Sequence, residues 1–228
     1  MSTNGDRGGA EAAHLRQVTP LGNFLYRFLR GLGVVLAKVL WRFEVTGRDR
    51  LPTVGPFILA PVHRSYVDFL VAAMSVPRRM RFMAKDSLWR APRFGRFLES
   101  VGAFPVDRTG ADRTALRRAE EAVAGGEPLV MFPEGRRQEG SEIAEMQQGP
   151  AFVACRNRVP IVPVGIGGSD RAMPIGSKMV RPAKVRVVIG EPIYPDVPVE
   201  GRVPRRIVAE TTERLRAELQ GLYDEVRD

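Results

Sequence analysis

Cysteine and histidine are nearly absent from this sequence. Its 228 residues include one cysteine, Cys155, and two histidines, His14 and His63. A single cysteine rules out an internal disulfide bond, and two histidines without a CxxC or HExxH pattern leave no ordinary metal site. The small and apolar neighbours of Cys155 indicate a buried, inert thiol. We therefore expect no metal and no bound cofactor, and a reducing cytoplasmic setting because a signal peptide is also lacking.

Long hydrophobic runs are absent as well, although residues 21–43 are strongly apolar. The longest stretch there without a charge extends only from Gly31 to Ala37, far short of the about 20 residues that a membrane span needs. Apolar residues recur at helical spacing, which predicts a helix with a broad apolar stripe. The stripe consists of Leu21, Leu25, Phe28, Leu32, Val35, Leu36, Val39, Leu40 and Phe43. Gly31 and Gly33 weaken that helix, so one helix and two shorter segments both remain open.

The side opposite the stripe is basic. It carries Arg27, Arg30, Lys38 and Arg42, and Trp41 stands near the end of the segment. An apolar face, a basic face and a terminal tryptophan favour a helix that lies in the plane of an anionic membrane surface. The alternative is an ordinary amphipathic helix that packs against its own domain.

The net charge indicates the chemistry of the binding partner, and the chain length indicates the number of domains. The net charge of +9 and the sequence pI of about 10.5 suit an anionic partner, which leaves a lipid surface, nucleic acid or a phosphorylated substrate. A hydrophobic content of 44% over this length suits one globular domain with a sizeable core. Residues 1–20 are mostly small and polar. We therefore divide the chain into a flexible tail at 1–20, a membrane-associating helical segment at 21–43 and a globular domain at 44–228.

Short apolar strands alternate with helical stretches in the globular domain. Strands are predicted at residues 43–46, 56–61, 80–84, 103–106, 129–132, 161–166 and 184–189, and a last helix begins near Pro204. This alternation predicts an α/β fold, with a single mostly parallel central sheet flanked by helices. In such sheets ligands bind at the carboxyl ends of the strands.

The stretch from His63 to Asp68 directly follows the predicted strand at 56–61. The two residues are five positions apart, too far around a continuous helix to meet. If the helix begins at Ser65, with Asp68 completing a capping-box-like pattern, the histidine lies in a loop and its ring can turn toward the carboxylate. Such a pair is typical of a general base, because the carboxylate fixes the histidine tautomer and stabilises the imidazolium. The alternative is that Asp68 only caps a helix and His63 is an ordinary loop residue.

Three further polar groups directly follow predicted strands. They are Lys85, Arg108 and residues 134–137. If the strands run parallel, these groups meet the histidine at one rim of the sheet. The planar forks of Arg108 and Arg137 match phosphate oxygens, Lys85 adds a point charge, and Gly135 lets the backbone approach a ligand closely. Together they predict a pocket for an anionic substrate whose hydroxyl the histidine deprotonates.

Four blocks resemble, in the same order, the motifs of glycerophospholipid acyltransferases, specifically the PlsC-like 1-acylglycerol-3-phosphate acyltransferases. His63-x4-Asp68 is similar to the HX4D motif of that family, and residues 102–108, Gly-Ala-Phe-Pro-Val-Asp-Arg, resemble its second block. Residues 132–137, Phe-Pro-Glu-Gly-Arg-Arg, resemble its FPEG-x-R block, and residues 159–164 resemble its fourth. The resemblance spans about residues 43–190.

The resemblance implies a role for each candidate residue. His63 is the general base that Asp68 orients, and no covalent acyl-enzyme is needed. Arg108 and Arg137, assisted by Lys85, hold the acceptor phosphate. The other substrate-binding candidates are Glu134, which bonds acceptor hydroxyls or orders its loop, Gly135, whose neighbourhood offers an oxyanion-binding amide, and Arg136.

The resemblance also implies an activity. We expect a membrane-associated enzyme that moves a fatty acyl group from acyl-CoA or acyl-ACP to a hydroxyl of 1-acylglycerol 3-phosphate, giving phosphatidic acid for phospholipid biosynthesis. Its expected place is the cytoplasmic face of the cell membrane, as a peripheral or monotopic protein. The nearest alternative is the same chemistry on glycerol 3-phosphate or another lysophospholipid.

Two alternatives belong to other functional classes. One is a non-catalytic protein that binds anionic lipid. The other is a nucleic-acid-binding module, supported only by the charge and by the mixture of arginine and aromatic residues at 90–97. Because helix-turn-helix, zinc-finger and RNP signatures are lacking, we expect no nucleic-acid partner.

Overall fold

The structure, a computed structural model, describes residues 20–106 and 113–227. Seven strands form one sheet in the order β1-β7-β6-β2-β5-β3-β4. The strands are β1 Glu44–Thr46, β2 Ile58–Pro61, β3 Arg81–Lys85, β4 Ala103–Val106, β5 Leu129–Val130, β6 Ile161–Gly167 and β7 Arg186–Ile189. Each of the seven predicted strands is therefore found, with ends that differ by up to two residues.

The sheet is mostly parallel, as predicted. Strands β2 to β6 run in one direction, whereas β7 pairs antiparallel with β6 and β1 pairs parallel with β7. The reversal at β7 was not predicted, because β7 follows β6 without a crossover helix of the usual length. All four residues of β2 are buried, so helices cover both faces of the sheet.

Within the described residues, seven α-helices and two short 3₁₀ helices accompany the strands. The helices are α1 Pro20–Trp41, α2 Asp68–Ser75, α3 Pro92–Ser100, α4 Arg113–Ala124, α5 Gly149–Asn157, α6 Ser169–Ala172 and α7 Arg205–Val226. The crossovers through α2 and α3 run toward β4, and those through α4 and α5 run back toward β6. Because such crossovers are right-handed, the two pairs lie on opposite faces. Helix α1 contacts α2 and α3, and α7 contacts α5.

Helix α1 is continuous, and its predicted apolar stripe faces outward. Among the described residues, no helix combines the length and the apolarity that a membrane crossing requires. We call its exposed apolar face the outer stripe, formed by Leu21, Phe24, Phe28, Leu32, Val35, Leu36 and Val39. Two members of the predicted stripe differ, since Leu25 is half-buried and Phe43 is buried just beyond the helix. The exposed stripe therefore does not match the alternative, in which α1 packs its apolar side on its own domain.

The inner side of α1 packs against the domain and includes Arg30. The predicted basic face is therefore corrected for Arg30, whereas its other three members, Arg27, Lys38 and Arg42, are exposed. Arg30 points inward, and its Nε donates to the carbonyl oxygens of Ala73 and Val76 at 3.2 and 2.7 Å. Those carbonyls end α2, where a cation is favourable. Burial is the main cause that lowers the pKa of Arg30. Trp41 is also buried and donates to the carbonyl oxygen of Arg181 at 3.2 Å, so it does not mark a membrane interface.

Exposed apolar side chains continue from α1 onto its two neighbours. On α2, Phe69 and Leu70 are exposed, and on α3, Phe94 and Phe97 are exposed with their rings stacked at 6.2 Å. Large apolar patches of this kind on a monomer mark an interaction surface.

The single cysteine, Cys155, is buried beside Thr211. Burial raises the pKa of its thiol, as expected for an inert cysteine.

Candidate active site

The predicted contact between His63 and Asp68 is present. The ring Nδ1 of His63 lies 3.0 Å from Oδ2 of Asp68. The side chain of Asp68 is fully buried, whereas that of His63 is 14% exposed. The pair therefore has one end sealed in the protein and the other end open to a ligand.

Asp68 is held by the backbone of the loop that carries the histidine. Its Oδ2 accepts from the amide nitrogens of Arg64 and Ser65 at 2.6 and 2.7 Å. Because an amide N–H can only donate, Oδ2 of Asp68 acts as the acceptor in both bonds. With Nδ1 of His63 donating to the same oxygen, Nε2 of the neutral ring keeps its lone pair. That tautomer is the one a general base requires.

The contact arises differently from the predicted capping box. Helix α2 begins at Asp68 itself, three residues later than expected, and the predicted start at Ser65 is wrong. Asp68 does reach back to the amide of Ser65, but the hydroxyl of Ser65 donates to the carbonyl oxygen of Met173 at 2.6 Å. That long-range bond takes the proton of the hydroxyl, and a long contact of 3.4 Å from the amide of Val67 to Oγ of Ser65 is what remains of the expected cap. The turn at residues 65–67 places His63 and Asp68 on the same side.

The ring of His63 is also fixed from its face. It stacks on Phe132, with ring centroids 4.1 Å apart and an angle of 27°. The carbonyl oxygen of His63 accepts from the amide of Gln138 at 2.8 Å. The loop after β5 therefore supports the histidine that follows β2, because those strands are neighbours in the sheet.

Glu134 is an internal ion-pair partner. Its carboxylate is fully buried and accepts from Nη1 of Arg64 at 2.8 Å on Oε1 and at 2.7 Å on Oε2, and Oε1 also accepts from the amide of His63 at 2.9 Å. This arrangement corrects the prediction that Glu134 contacts the acceptor and favours the other predicted role, ordering the loop. Burial alone would lower the pKa of Arg64. The hydrogen bonds and charge of Glu134, with Tyr223, outweigh burial and raise it.

Arg137 lies at the mouth of the site. Its guanidinium carbon is 3.3 Å from the centroid of the Tyr66 ring, which is a stacked cation–π contact. Tyr66 is half exposed. The stacking holds the planar fork in one orientation without using its donors, and Nη1 of Arg137 is buried without a hydrogen-bond partner among the described residues. A preoriented fork with a spare donor suits an anionic oxygen.

The neighbours of Arg137 differ from it. Arg136 is exposed, and Gly135 is exposed with a φ of 69°, a left-handed value that favours glycine. The amide of Gly135 donates to the carbonyl oxygen of Phe132 at 3.1 Å. That amide is therefore bonded within its own loop, and the expected oxyanion-binding amide near Gly135 stays a prediction.

The remaining predicted cations lie further along the rim. Lys85 ends β3 and is exposed. Because β5 lies between β2 and β3, Lys85 is about 10 Å from the strand that leads to His63. The rim prediction is thus confirmed for the groups after β2, β3 and β5, whose strands are parallel. Arg108 lies outside the described residues, so its predicted role stays a prediction.

Helix α7 supplies two supporting residues that the sequence did not indicate. The ring of Tyr223 lies 4.6 Å from the guanidinium carbon of Arg64, and its hydroxyl donates to the carbonyl oxygen of Gly140 at 3.3 Å. Gln220 accepts from the amide of Ile143 at 2.8 Å and donates to the carbonyl oxygen of Ser141 at 3.1 Å. Both residues tie the loop after Arg137 to α7. No local motif signals such a contact.

Close packing against β6 places α7 for this role. A side chain at Gly165 would meet the carbonyl oxygen of Leu222 at 2.5 Å, and one at Gly167 would overlap that of Val226. The two glycines therefore let the helix backbone lie directly on the strand. Buried Leu215 and Leu219 complete the contact.

The chain is similar to known acyltransferases. The family model Acyltransferase matches residues 42–167. The 1-acyl-sn-glycerol-3-phosphate acyltransferase of Bacillus subtilis strain 168 is 26% identical over 171 residues, covering 75% of this chain and 83% of that protein. The enzyme of the same name from Streptococcus pneumoniae is 28% identical over 210 residues, covering 89% and 74%. The chloroplastic BAT2 enzyme of Brassica napus is 27% identical, and the match covers 68% of this chain but only 46% of that protein.

A solved structure shares the fold. The crystal structure of the 1-acyl-sn-glycerophosphate (LPA) acyltransferase, PlsC, from Thermotoga maritima superposes with a TM-score of 0.70 and 25% identity. The match covers 87% of this chain and 81% of that one.

Proposed function

This chain belongs to the acyltransferase family, and we propose that it transfers a fatty acyl group from acyl-CoA or acyl-ACP to the free hydroxyl of 1-acylglycerol 3-phosphate. The product is phosphatidic acid, a precursor for phospholipid biosynthesis. The observation that carries the proposal is the geometry of His63, whose Nδ1 is bound to the buried carboxylate of Asp68 and whose other nitrogen is left as a base. The names of the relatives support the choice of acceptor.

The proposed reaction needs no covalent enzyme intermediate. Nε2 of His63 takes the proton of the acceptor hydroxyl as its oxygen attacks the thioester carbonyl carbon. Asp68 stabilises the imidazolium that forms. When the carbon–sulfur bond breaks, the imidazolium returns the proton to the leaving thiolate, so the products are the ester and the free thiol. General-base catalysis of this kind contributes about 10²–10⁴ in rate.

Cations along the rim are proposed to hold the acceptor phosphate. Arg137 offers a fork fixed by Tyr66, with a donor that has no partner among the described residues. Lys85, at the end of β3, adds a positive charge two strands away from β2. Arg108, which follows β4 in the sequence, is proposed to contact the same phosphate. Arg136 is kept as a candidate because it is exposed beside Arg137.

The outer stripe of α1 is proposed to lie in the cytoplasmic face of an anionic membrane as a peripheral contact. Two observations support this. The stripe has no packing partner among the described residues, and exposed Arg27 and Lys38 flank one side of it. Basic residues beside an apolar helix face favour anionic lipid.

The experiment that tests the function is an acceptor panel with purified protein in lipid vesicles. Palmitoyl-CoA and palmitoyl-ACP are each offered with one of three acceptors. These are 1-acylglycerol 3-phosphate, lysophosphatidylcholine with the same acyl chain, and glycerol 3-phosphate. The readouts are thiol release and the mass of the product. We expect 1-acylglycerol 3-phosphate to react at least about a hundredfold faster than the zwitterionic acceptor, because the cations recognise an exposed phosphate monoester.

Each other outcome selects another function. Faster reaction of glycerol 3-phosphate or of lysophosphatidylcholine would replace the proposed acceptor. Vesicle binding without thiol release from any donor would identify a non-catalytic lipid-binding protein. Arg137→Gln provides the internal check, since it should raise the KM for the phosphate-bearing acceptor by about tenfold and leave the donor KM within twofold.

A further inference from the structure

A cleft of about 710 Å³ opens at the same rim of the sheet as His63, on the side of β6. Its walls come from the loop at residues 138–141, from the segment after β6 and from the end of α7. The volume lies in the range of about 300–1,000 Å³ that is usual for small-molecule sites. The reaction steps described above do not use this cleft.

Arginine dominates the charged lining of the cleft. The charged residues are Arg64, Arg171, Arg181, Arg227, Glu139 and Asp170. Arg64 is neutralised by its buried ion pair with Glu134, and a guanidinium nitrogen of Arg227 lies 3.5 Å from Asp224. Outside those two pairs, the lining charges are Arg171 and Arg181 on the positive side and Glu139 and Asp170 on the negative side. The cleft therefore offers two guanidinium groups to an anion, without an overall positive charge.

Arg171 and Arg181 are exposed, and the fold fixes their positions. Nη1 of Arg171 donates to the carbonyl oxygen of Arg227 at 3.1 Å, which ties the side chain to the end of α7. The backbone of Arg181 is bonded on both sides, to the carbonyl oxygen of Ala172 at 2.8 Å and to the indole nitrogen of Trp41 at 3.2 Å. Within residues 20–106 and 113–227, neither guanidinium forms a salt bridge with a carboxylate. Guanidinium groups of this kind match phosphate oxygens.

The walls of the cleft are joined to the loop that carries the catalytic histidine. Arg64, in its wall, is the residue after His63, and Gln138, also in its wall, donates its amide to the carbonyl oxygen of His63. The cleft lies on the β6 side of His63, whereas Lys85 lies on the β3 side. Its α7 wall belongs to the helix layer on the face opposite α1. That wall therefore lies on the face of the sheet opposite the outer stripe.

We propose that this cleft binds the phosphate-bearing pantetheine portion of the acyl-thioester donor, with Arg171 and Arg181 contacting its phosphates. This inference rests on the proposed function. A donor of this class has an apolar acyl chain and a charged, water-soluble end. The apolar surface on the α1 face suits the former, and the guanidinium groups of Arg171 and Arg181 in the cleft suit the phosphates of the latter. The shared chemistry is the phosphate next to pantetheine, which occurs in CoA and in the prosthetic arm of ACP.

The test compares Michaelis constants in Arg171→Gln/Arg181→Gln. We expect the KM for palmitoyl-CoA to rise about tenfold or more, since each change removes a charged hydrogen bond, while the acceptor KM stays within twofold. The matched control is Arg206→Gln/Arg214→Gln, because those arginines line a different cleft beside α7. The control should keep both constants within twofold.

The two donors distinguish the sources of the phosphate. A rise in KM for palmitoyl-CoA and palmitoyl-ACP alike indicates the shared phosphate, and a rise for palmitoyl-CoA alone indicates the further phosphates of CoA. Unchanged constants for both donors, or equal rises for donor and acceptor, would overturn the inference.

A binding measurement separates this inference from the proposed function. Calorimetric titration with free CoA needs no turnover, and we expect the affinity of the double variant to fall about tenfold relative to the unchanged chain and to the control. If the unchanged chain transfers acyl groups but the double variant binds CoA normally, only the cleft is refuted. If the unchanged chain transfers no acyl group from either donor, the proposed function fails whatever the cleft binds.

Discussion

Helices α1 and α7 both have 22 residues and both are amphipathic. Their large apolar side chains, however, point in opposite directions relative to the core. In α7 the large apolar residues lie inward, where Leu215 and Leu219 are fully buried. In α1 they lie outward, where Phe24 is 68% and Val39 is 80% exposed. The packing side of α1 instead contains Tyr26, Ala37 and Trp41, together with the guanidinium of Arg30.

The difference teaches that the two helices direct their large apolar side chains to different surroundings. Helix α7 is part of the hydrophobic core and reaches the catalytic loop through Tyr223. Helix α1 is fixed to the domain through the side that carries Arg30 and Trp41, and its outer stripe stays exposed. An apolar face that does not enter the core needs another apolar environment, and a lipid surface supplies one.

The largest expected difference between the helices is in stability. Leu219→Ala in α7 should lower the free energy of unfolding by about 2–5 kcal/mol, because it leaves a cavity in the core. Val39→Ala in α1 should change it by less than about 0.5 kcal/mol, as expected for an exposed site. Urea unfolding followed by circular dichroism measures both. Equal losses in the two variants would show that α1 packs its apolar side in the core.

In membrane binding, substitutions in α1 should have the larger effect. Phe28→Ser/Val35→Ser/Val39→Ser should weaken binding to vesicles containing phosphatidylglycerol by about thirtyfold or more, since partial burial of three apolar side chains is lost. Val54→Ser/Tyr194→Ser/Val199→Ser is the matched control, because those side chains are equally exposed but lie outside α1. Vesicle flotation compares the two. Equal weakening in both triple variants would contradict a specific role for the outer stripe.

The smallest expected effect is that of Tyr223 on the site. Tyr223→Leu should lower kcat/KM about fivefold, because the stacking that fixes Arg64 is lost. Tyr223→Phe keeps the ring and should recover most of that loss. Steady-state kinetics below the unfolding temperature of each variant gives the comparison. If the phenylalanine variant is as impaired as the leucine variant, the ring does not position Arg64.

Local sequence patterns predicted much of this molecule. Short segments of four to six mostly apolar residues indicated the seven predicted strands, and the order of strands and helices indicated the parallel part of the sheet. The contact between His63 and Asp68 was also predicted, because both lie within one short loop. These features depend on residues close together in the chain.

Long-range partners could not be predicted. Arg64 and Glu134 are 70 positions apart, and nothing in their spacing shows that they form a buried pair that withdraws Glu134 from the substrate. Ser65 likewise has a distant partner, since its hydroxyl donates to the carbonyl oxygen of Met173. The orientation of α1 was equally hidden, because a core and a membrane both favour an apolar stripe.

The central claim is that His63 acts as a general base oriented by Asp68. Its most direct test is the turnover of His63→Ala with palmitoyl-CoA and 1-acylglycerol 3-phosphate, in protein shown to be folded by circular dichroism and to bind vesicles normally. The account predicts a fall in kcat of about 10²–10⁴. Turnover near that of the unchanged chain, in a folded and vesicle-bound variant, would contradict it.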